Sequence, residues 1–517
     1  MNLYKSRFLL LLLLATTALS ACKKQWDDRT AIADQQLDKN LMQKIQENSN
    51  LSIFAGYLTK IGYDKVLSAS KTYTVWAPDN QALQGIDATI VADTAKLRLF
   101  VSNHISNQAY LTANANPSLR VRTFTGKRIT FTPTTVEDAT ITTANQYVNN
   151  GVLHIINKTL APKLNIYEYI QSLTTVGALH KAYLQRQDST FVDSSKATVA
   201  SVDPATGKNV LVPGTGIVTR NKYFTNVANL ASEDSLYTYF VLTDDAYNAE
   251  RNKVSRFFIT SSVDTTMNML AAFNVLKDVA VKGVIPQANL GGTILSVKGI
   301  QVPVNPAAIV QTYNASNGIV YVVNSMNFKL EEKIPPIIIQ GETPTGFLTT
   351  TNRANIQYRT KRDNNGVLYS DIQLSGANLP ASYYARYRLS NLYTCQYTVA
   401  WRAINDFAYA TATNLSQRLG FSQIGYFFVP ATGSVYSAQV QFPYTTVTPQ
   451  NFTEVTLTSA TTNASFIPIA TPTINATAGT LNVTKYASVN MYLQGSTGTA
   501  LNTNVFTLDY VKLIPIY

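Results

Sequence analysis

The sequence predicts a multidomain chain: two α+β domains built on one plan, followed by an all-β sandwich. Three observations carry this expectation. Asn150-Gly-Val-Leu-His-Ile-Ile-Asn157 matches Asn317-Gly-Ile-Val-Tyr-Val-Val-Asn324 class for class. Asn-Gly supplies the positive φ of a tight turn, and the apolar run behind it has the length and β-branched content of a buried strand. At nearly equal distance upstream, Thr74-Val-Trp-Ala-Pro-Asp-Asn-Gln-Ala-Leu83 aligns with Thr238-Tyr-Phe-Val-Leu-Thr-Asp-Asp-Ala-Tyr247, a strand running into a polar helix start. Two matched segments in each copy make a repeat. Beyond residue 347 the composition shifts to Tyr, Thr, Asn and Ser, with short strand patterns at regular spacing, which is how a sandwich reads. At 517 residues the chain is long enough for three domains of ordinary size.

At the N-terminus, Lys5 and Arg7 precede an apolar run from Phe8 to Leu14. That run is too short to span a bilayer and reads as a secretory signal. Leu19-Ser-Ala-Cys22 resembles the bacterial lipobox, which implies a signal peptide over 1–21 and lipidation of Cys22. Acyl chains hold a protein at a membrane without a transmembrane helix, each buried methylene contributing about 0.8 kcal/mol. Residues 22–34 are then a lipidated tether. Lys23 in place of Asp, by resemblance to Gram-negative lipoproteins, argues against retention in the inner membrane. Lys23-Lys-Gln-Trp-Asp-Asp28 resembles the export tether of Bacteroidota surface lipoproteins, and reads equally as a solvated linker. The expected location is the outer membrane, lipid-anchored, at the cell surface.

The first repeat is expected over 35–162. Leu37 to Lys44 and Leu51 to Ile61 carry helical spacing, with Asn50 and Ser52 near the cap. Tyr73 to Trp76 reads as a strand, Pro78-Asp79 as a helix start, Thr94 to Val101 as a helix, Arg120 to Ile141 as polar Thr-rich strands and Val152 to Ile156 as a closing strand. The second repeat, 163–334, carries an insertion over about 187–235. Its Val202-Asp-Pro-Ala-Thr-Gly-Lys208 segment is turn chemistry, so the insertion reads as a surface loop or small hairpin, either tolerated or a partner-binding element.

The matched segments of the first repeat resemble the two signature motifs of the fasciclin (FAS1) domain, and Val101-Ser-Asn-His104 resembles its short central His motif. The second copy is degraded: Val241-Leu242 replaces Ala77-Pro78, and Gly283 falls where His104 stood. The resemblance implies extracellular adhesion modules that bind proteins, glycans or matrix. It also implies that His104 and His154 are packed parts of the domain rather than functional groups.

Lys333-Ile-Pro-Pro336 and Gly341-Glu-Thr-Pro-Thr-Gly346 punctuate the chain, giving a linker over 335–346 and a sandwich domain over 347–517. Asp363-Asn-Asn-Gly366 reads as a hairpin turn, and strands are expected at Tyr383 to Leu389, Tyr393 to Arg402, Gln423 to Val429, Ser434 to Phe442 and onward to Val505 to Ile514. The closing Phe506-Thr-Leu-Asp-Tyr-Val-Lys-Leu-Ile-Pro515 resembles the last strand of galactose-binding-like jelly rolls in carbohydrate-binding modules, which implies a jelly-roll-like sandwich. Sugar recognition needs aromatic faces beside planar polar side chains. Tyr383, Tyr384, Arg386, Arg388, Tyr409 and Tyr444 are the candidate ligand-binding residues, with Tyr387 and Tyr426 near them. Alternating Tyr is also what a half-buried strand prefers.

The net charge of +12 becomes +10 when Lys5 and Arg7 leave with the signal peptide, but no Lys/Arg stripe tracks phosphates, so no nucleic-acid partner is expected. The only cysteines are Cys22 and Cys395; with the first committed to lipid, no intramolecular disulfide is expected. The alternation of Tyr393 to Trp401 puts Cys395 on the buried face of a strand. No cofactor, metal site or catalytic residue is expected. From residue 345 the acids are only Asp363, Asp371, Asp406, Glu454 and Asp509, and the only histidines, His104, His154 and His180, lie outside the sandwich. The expectation is a non-catalytic surface lipoprotein for adhesion or glycan binding, attached to a polysaccharide-uptake system, whose partners are the membrane and a glycan or surface protein. The alternatives are an envelope protein that binds proteins but no glycan and, more weakly, a glycosidase in the C-terminal domain.

Overall fold

The computed structural model describes residues 35–260, 265–348, 355–375, 383–406, 414–424, 439–462, 473–496 and 505–517. The segments expected as signal peptide and tether, with Cys22, and Tyr409 and Tyr426 lie outside the described residues. Two compact units emerge. One runs from residue 35 to Tyr169 with Ala231–Leu236 and Asn314–Gly318, and the other takes Ile170–Leu230, Tyr237–Tyr313 and Ile319–Tyr517.

The first unit is built on a seven-stranded sheet in the order Ile105–Ser106, Tyr73–Pro78, Gly151–Ile156, Ala139–Val148, Thr135–Val136, Arg128–Phe131, Leu119–Arg122. The two strands singled out by the repeat lie side by side and parallel, Tyr73 opposite Gly151 through Pro78 opposite Ile156. Both are buried along their whole length, as unbroken apolar runs must be. Helices Leu41–Glu47, Ser52–Lys60 and Thr94–Ser102 pack Leu41, Phe54, Leu58, Leu97 and Phe100 against Leu153. A second core gathers Trp76, Val121, Phe131, Ile156 and Leu160. The first helix starts four residues later than its apolar spacing indicated, because Asn40 and Gln43 close a capping box there. Pro78 ends its strand instead of opening a helix, and the Asp79 carboxylate accepts from the Ala82 amide to make a turn.

In the second unit the sheet Ala280–Lys282, Tyr237–Leu242, Gly318–Val323, Ile309–Ala315 follows the same path as the first four strands above. Here the helix start after the strand does form: Thr243 caps Asp244–Ser255 through the Ala246 amide. The insertion is a hairpin of two ladders, Asp188–Val192 with Ile217–Asn221 and Val199–Val202 with Asn209–Leu211, turned at Asp203 to Lys208.

The C-terminal region is all β. A six-stranded sheet runs Ile337–Gln340, Tyr510–Ile516, Gln396–Arg402, Thr480–Val483, Ile474–Thr477, with Val455–Leu457 also on Gln396–Arg402. A seven-stranded sheet runs Gly346–Phe347, Tyr384–Leu392, Ala487–Gly495, Leu415–Gln423, Val440–Gln441, Thr461–Thr462, with Thr445–Val447 also on Leu415–Gln423. Ile356–Arg362, Leu368–Leu374 and Phe506–Leu508 form a third. The core holds Tyr387, Tyr397, Trp401, Leu419, Phe421, Met491, Leu493 and Leu513.

Two expectations change. The segment 335–346 is not a linker: Ile337–Gln340 is a strand paired with Tyr510–Leu513, its proline-rich flank notwithstanding. The sandwich is not set apart from the second repeat either. The Phe258 ring meets Tyr393 at 5.6 Å and Tyr486 at 5.2 Å, the Thr394 amide donates to the Phe257 carbonyl, and the Tyr517 hydroxyl donates to the Ile334 carbonyl at 2.8 Å. Among the described residues no helix is long and apolar enough to cross a membrane.

Candidate ligand-binding face

Alternation along Tyr384–Leu392 decides which candidate residues can meet a ligand. Tyr383, Ala385, Tyr387 and Leu389 point into the core, so Tyr384, Arg386 and Arg388 stand on the opposite face. Antiparallel register carries this parity across the sheet, because directly paired residues share a face. Val489, Met491 and Leu493 point inward on the next strand, as do Leu419 and Phe421 on the one beyond. The outer face therefore has three rows: Tyr384–Gln494–Arg418, Arg386–Tyr492–Gly420 and Arg388–Asn490–Ser422.

The rows are knit together. Arg418 donates through Nε to Gln494 Oε1 at 2.7 Å, and its guanidinium lies 4.5 Å from the centre of the Tyr444 ring. The Tyr444 hydroxyl donates to the Gly495 carbonyl at 3.2 Å. The Tyr384 and Tyr492 rings meet edge to face at 5.1 Å, and the Tyr492 and Ser422 hydroxyls lie 3.2 Å apart. Asn490, Tyr492, Gln494 and Ser422 are buried, whereas Tyr384, Arg386, Arg418 and Tyr444 are half-buried and Arg388 is exposed. Burial raises the Tyr384 phenol, opposed by Arg386, and raises that of Tyr444, opposed by Arg418; both stay protonated at neutral pH and able to donate. At the edge of this sheet, beside the Arg386 backbone, a hollow of about 360 Å³ is lined by Thr345, Phe347, Ile356 and Tyr358, whose ring is exposed.

Of the candidates, Tyr384, Arg386, Arg388 and Tyr444 come together on this face. Tyr383 does not. It is fully buried with its ring stacked 6.4 Å from Phe347, and no part of it can touch a ligand. Tyr387 is likewise buried, its hydroxyl donating to the Gly341 carbonyl at 2.7 Å. Tyr409 lies outside the described residues. Arg418, Asn490, Tyr492 and Gln494 were not singled out from the sequence. Arg418 sits in Leu415–Gln423, whose Leu415, Leu419 and Phe421 alternate on the core side around Gly420, a signal that could have found it.

From residue 347 onward the carboxylates are all engaged by cations, whereas Glu342, in the turn after Ile337–Gln340, has a buried Oε2 with no hydrogen-bond partner among the described residues. Arg359 clasps Asp371 and reaches Asp406 at 2.9 Å, which Lys361 also holds. Arg402 bridges Asp363 at 2.7 Å and Asp509 at 2.8 Å. Glu454 accepts from the Tyr510 hydroxyl at 2.9 Å with Lys512 at 3.7 Å. Burial works to raise the Asp406 carboxyl, but Lys361 and Arg359 outweigh it and hold it low. For Asp509 burial prevails over Arg402 and the carboxyl is raised. Among the described residues no three His, Cys, Asp or Glu side chains are grouped to hold a metal ion.

The histidines are structural. His104 and His180 are buried, and each accepts a backbone N–H, from Leu160 at 2.9 Å and from Leu242 at 3.1 Å. Burial lowers His104 to about 4 and His180 to about 3, so both are neutral. His154 bonds the Tyr110 carbonyl and stacks on Trp76. Cys395 lies in the bend before its strand, which starts at Gln396; it is half-buried, and burial pushes its thiol up to about 11.

Residues 49–162 match the family model of the fasciclin domain. No curated protein matches the sequence. Among solved structures the chain is similar to a FAS1 domain pair from the insect cell adhesion molecule fasciclin I, at 15% identity over 56% of this chain and 100% of that one, with a TM-score of 0.22. It is also similar to the family 11 carbohydrate-binding module from Clostridium thermocellum in complex with a β-1,3-1,4-mixed-linked tetrasaccharide, at 13% identity over 35% of this chain and 88% of that one, with a TM-score of 0.19. The CBM22-1–GH10 modules of Clostridium thermocellum xylanase 10B, in complex with xylohexaose, are similar at 12% identity over 32% of this chain and 25% of that one, with a TM-score of 0.17. Residues 49–162 of this chain are thus a fasciclin domain, followed by a second domain with the same strand path and a β-rich C-terminal region.

Proposed function

We propose that the chain is a non-catalytic adhesion protein of the bacterial cell surface. It is anchored in the outer membrane by lipid on Cys22, and its two fasciclin-like domains carry a terminal jelly-roll-like sandwich that binds glycan. The observation that carries the reading is the row Tyr384–Gln494–Arg418–Tyr444 on the face opposite the core, where half-buried Tyr384, Arg418 and Tyr444 flank a buried Gln494 that fixes the Arg418 guanidinium. Sugars are held by that combination of ring faces and fixed hydrogen-bond donors. The anchor, and a place beside a polysaccharide-uptake system, rest on the resemblance of residues 19–28 to surface lipoproteins. Multivalent display at a membrane raises the effective concentration of weak sites, which suits such a face.

A glycan array probed with the chain lacking residues 1–22 tests this. Binding that is lost in Tyr384→Ala while the melting temperature holds supports the reading; silence across the array overturns it. A second reading, capture of a protein partner, is favoured by the insertion, where Val192 and Ile217 face each other across a ladder at 56% and 57% exposure.

A further inference from the structure

The charge on the candidate face is unbalanced. Between 347 and 517 the sequence has ten basic and five acidic side chains. All five acids are already held elsewhere: Asp371 and Asp406 by Arg359 and Lys361, Asp363 and Asp509 by Arg402, Glu454 by Lys512. Arg386, Arg388 and Arg418 all stand on the outer face, and among the described residues none of them pairs with a carboxylate. Arg386 and Arg388 are two residues apart on one strand, about 7 Å, and Arg418, two strands away in the row of Tyr384, is about 12 Å from Arg386 and about 17 Å from Arg388. Arg386 and Arg388, like charges about 7 Å apart with no acid paired to either, disfavour the fold by themselves, and an anionic ligand relieves that repulsion.

We infer that this face recognises an acidic glycan, a polysaccharide bearing carboxylate or sulfate groups. The inference rests on the glycan-binding reading above and narrows its ligand class. A guanidinium offers a forked set of donors that matches a carboxylate or a sulfate two oxygens at a time. Tyr384 and Tyr444, at either end of the first row, supply ring faces for the sugar between the charged groups. Two of the three lysines of the region are engaged elsewhere, Lys361 on Asp406 and Lys512 on Glu454, and Lys485 precedes the strand Ala487–Gly495 outside the three rows. A delocalised phosphate-tracking surface would draw on such lysines; this face is three fixed forks beside aromatic rings.

The test uses the chain lacking residues 1–22 in affinity electrophoresis and calorimetry. The probes are polygalacturonate for carboxylate, chondroitin sulfate for sulfate, unsubstituted galactan and mixed-linkage glucan as neutral glycans, and a single-stranded DNA oligonucleotide. The inference predicts binding to one of the acidic glycans that weakens with salt and falls about tenfold in Arg388→Gln, and more in Arg388→Gln with Arg418→Gln. Arg388 is exposed, so its variant should melt with the wild type. Arg362→Gln, which removes an exposed charge from another sheet, should change binding less than twofold. Equal losses in Arg362→Gln and Arg388→Gln, or equal binding of DNA, would reduce the effect to general polyanion attraction and overturn the inference. Binding of neutral glycans that needs Tyr384 but not Arg388 would overturn it too, while leaving the glycan-binding reading intact. Absence of binding to every glycan removes both.

Discussion

Asn150 and Asn317 show how one residue type fixes a domain from a turn. Asn150 Oδ1 accepts the Leu41 N–H at 2.8 Å, and its Nδ2 donates to the Leu67 and Ala69 carbonyls. Asn317 repeats this with the Ile166 N–H at 2.8 Å and the Ser232 carbonyl. Each ties the first helix of its repeat to the start of the central strand. Asn150→Ala strands two buried backbone groups, the Leu41 N–H and the Leu67 carbonyl, and should cost about 2–4 kcal/mol in chemical denaturation; a loss under half a kcal/mol would show the tie to be idle. The Gly beside it is obligatory for a different reason: at φ 153°, a Cβ on Gly151 would lie 2.0 Å from the Tyr73 carbonyl oxygen. The buried histidines set a pH dependence. His104 falls from the ordinary 6.5 to about 4 on folding because burial disfavours its charge. The unfolded chain therefore binds more protons between those values. Stability is full above about 6.5 and declines as pH drops toward 4, by up to about 1.4 kcal/mol per pH unit for this group. Urea unfolding of the wild type from pH 7 to 5 should show that decline, and His104→Gln, though less stable overall, should show a flatter profile over the same range.

At the scale of elements, the strand Tyr384–Leu392 carries both core and site on alternate residues. The sequence sets tyrosines and arginines close together along it, which is why Tyr384, Arg386 and Arg388 were legible as candidates. It could not tell Tyr383 from Tyr384, since the parity of a strand is set by what packs on it and two adjacent tyrosines are chemically the same. Tyr383→Ala should therefore cost about 3–5 kcal/mol of stability, by cavity formation, and Tyr384→Ala should leave the unfolding midpoint within about 1 kcal/mol while abolishing glycan binding. The reverse pattern would put the ligand on the other face. Leu415–Gln423 was legible in part, from Leu415, Leu419 and Phe421, but Gln417 interrupts their apolar row; it faces the core by bonding the Thr507 backbone in both directions, which local composition does not show. The repeat was legible at its two buried central strands, where apolar runs leave little ambiguity. It was misread at Pro78-Asp79, where composition favours a helix but the side chain closes a turn. A buried pair in the second repeat makes a further check: Lys333 donates to Asp278 at 2.6 Å with almost no exposure of either. Lys333→Met alone should cost about 3–5 kcal/mol and should be largely rescued when Asp278→Leu is added; additive losses would show the two to be uncoupled.

For the whole molecule, the division of the chain differs from its punctuation. Proline and glycine mark 335–346 as a break, yet Ile337–Gln340 completes the sheet by pairing with Tyr510–Leu513, and Ile339 enters the core. Long-range strand pairing of this kind is invisible to local composition. A fragment beginning at 347 should accordingly be less stable than one beginning at 335 by about 2 kcal/mol or more, since it leaves a long edge strand bare; equal stability would return 335–346 to the status of a linker. The charge distribution is equally global. The excess of basic residues is legible in the sequence, but only the fold reveals that Asp371, Asp406, Asp363 and Asp509 are gathered around Arg359 and Arg402 while three arginines share one face. The measurement that tests the central claim most directly is glycan binding by the chain lacking residues 1–22, compared with its Tyr384→Ala variant at matched thermal stability. The account predicts specific binding that disappears in the variant. Binding that survives the substitution unchanged, or that is absent from the parent chain, contradicts it.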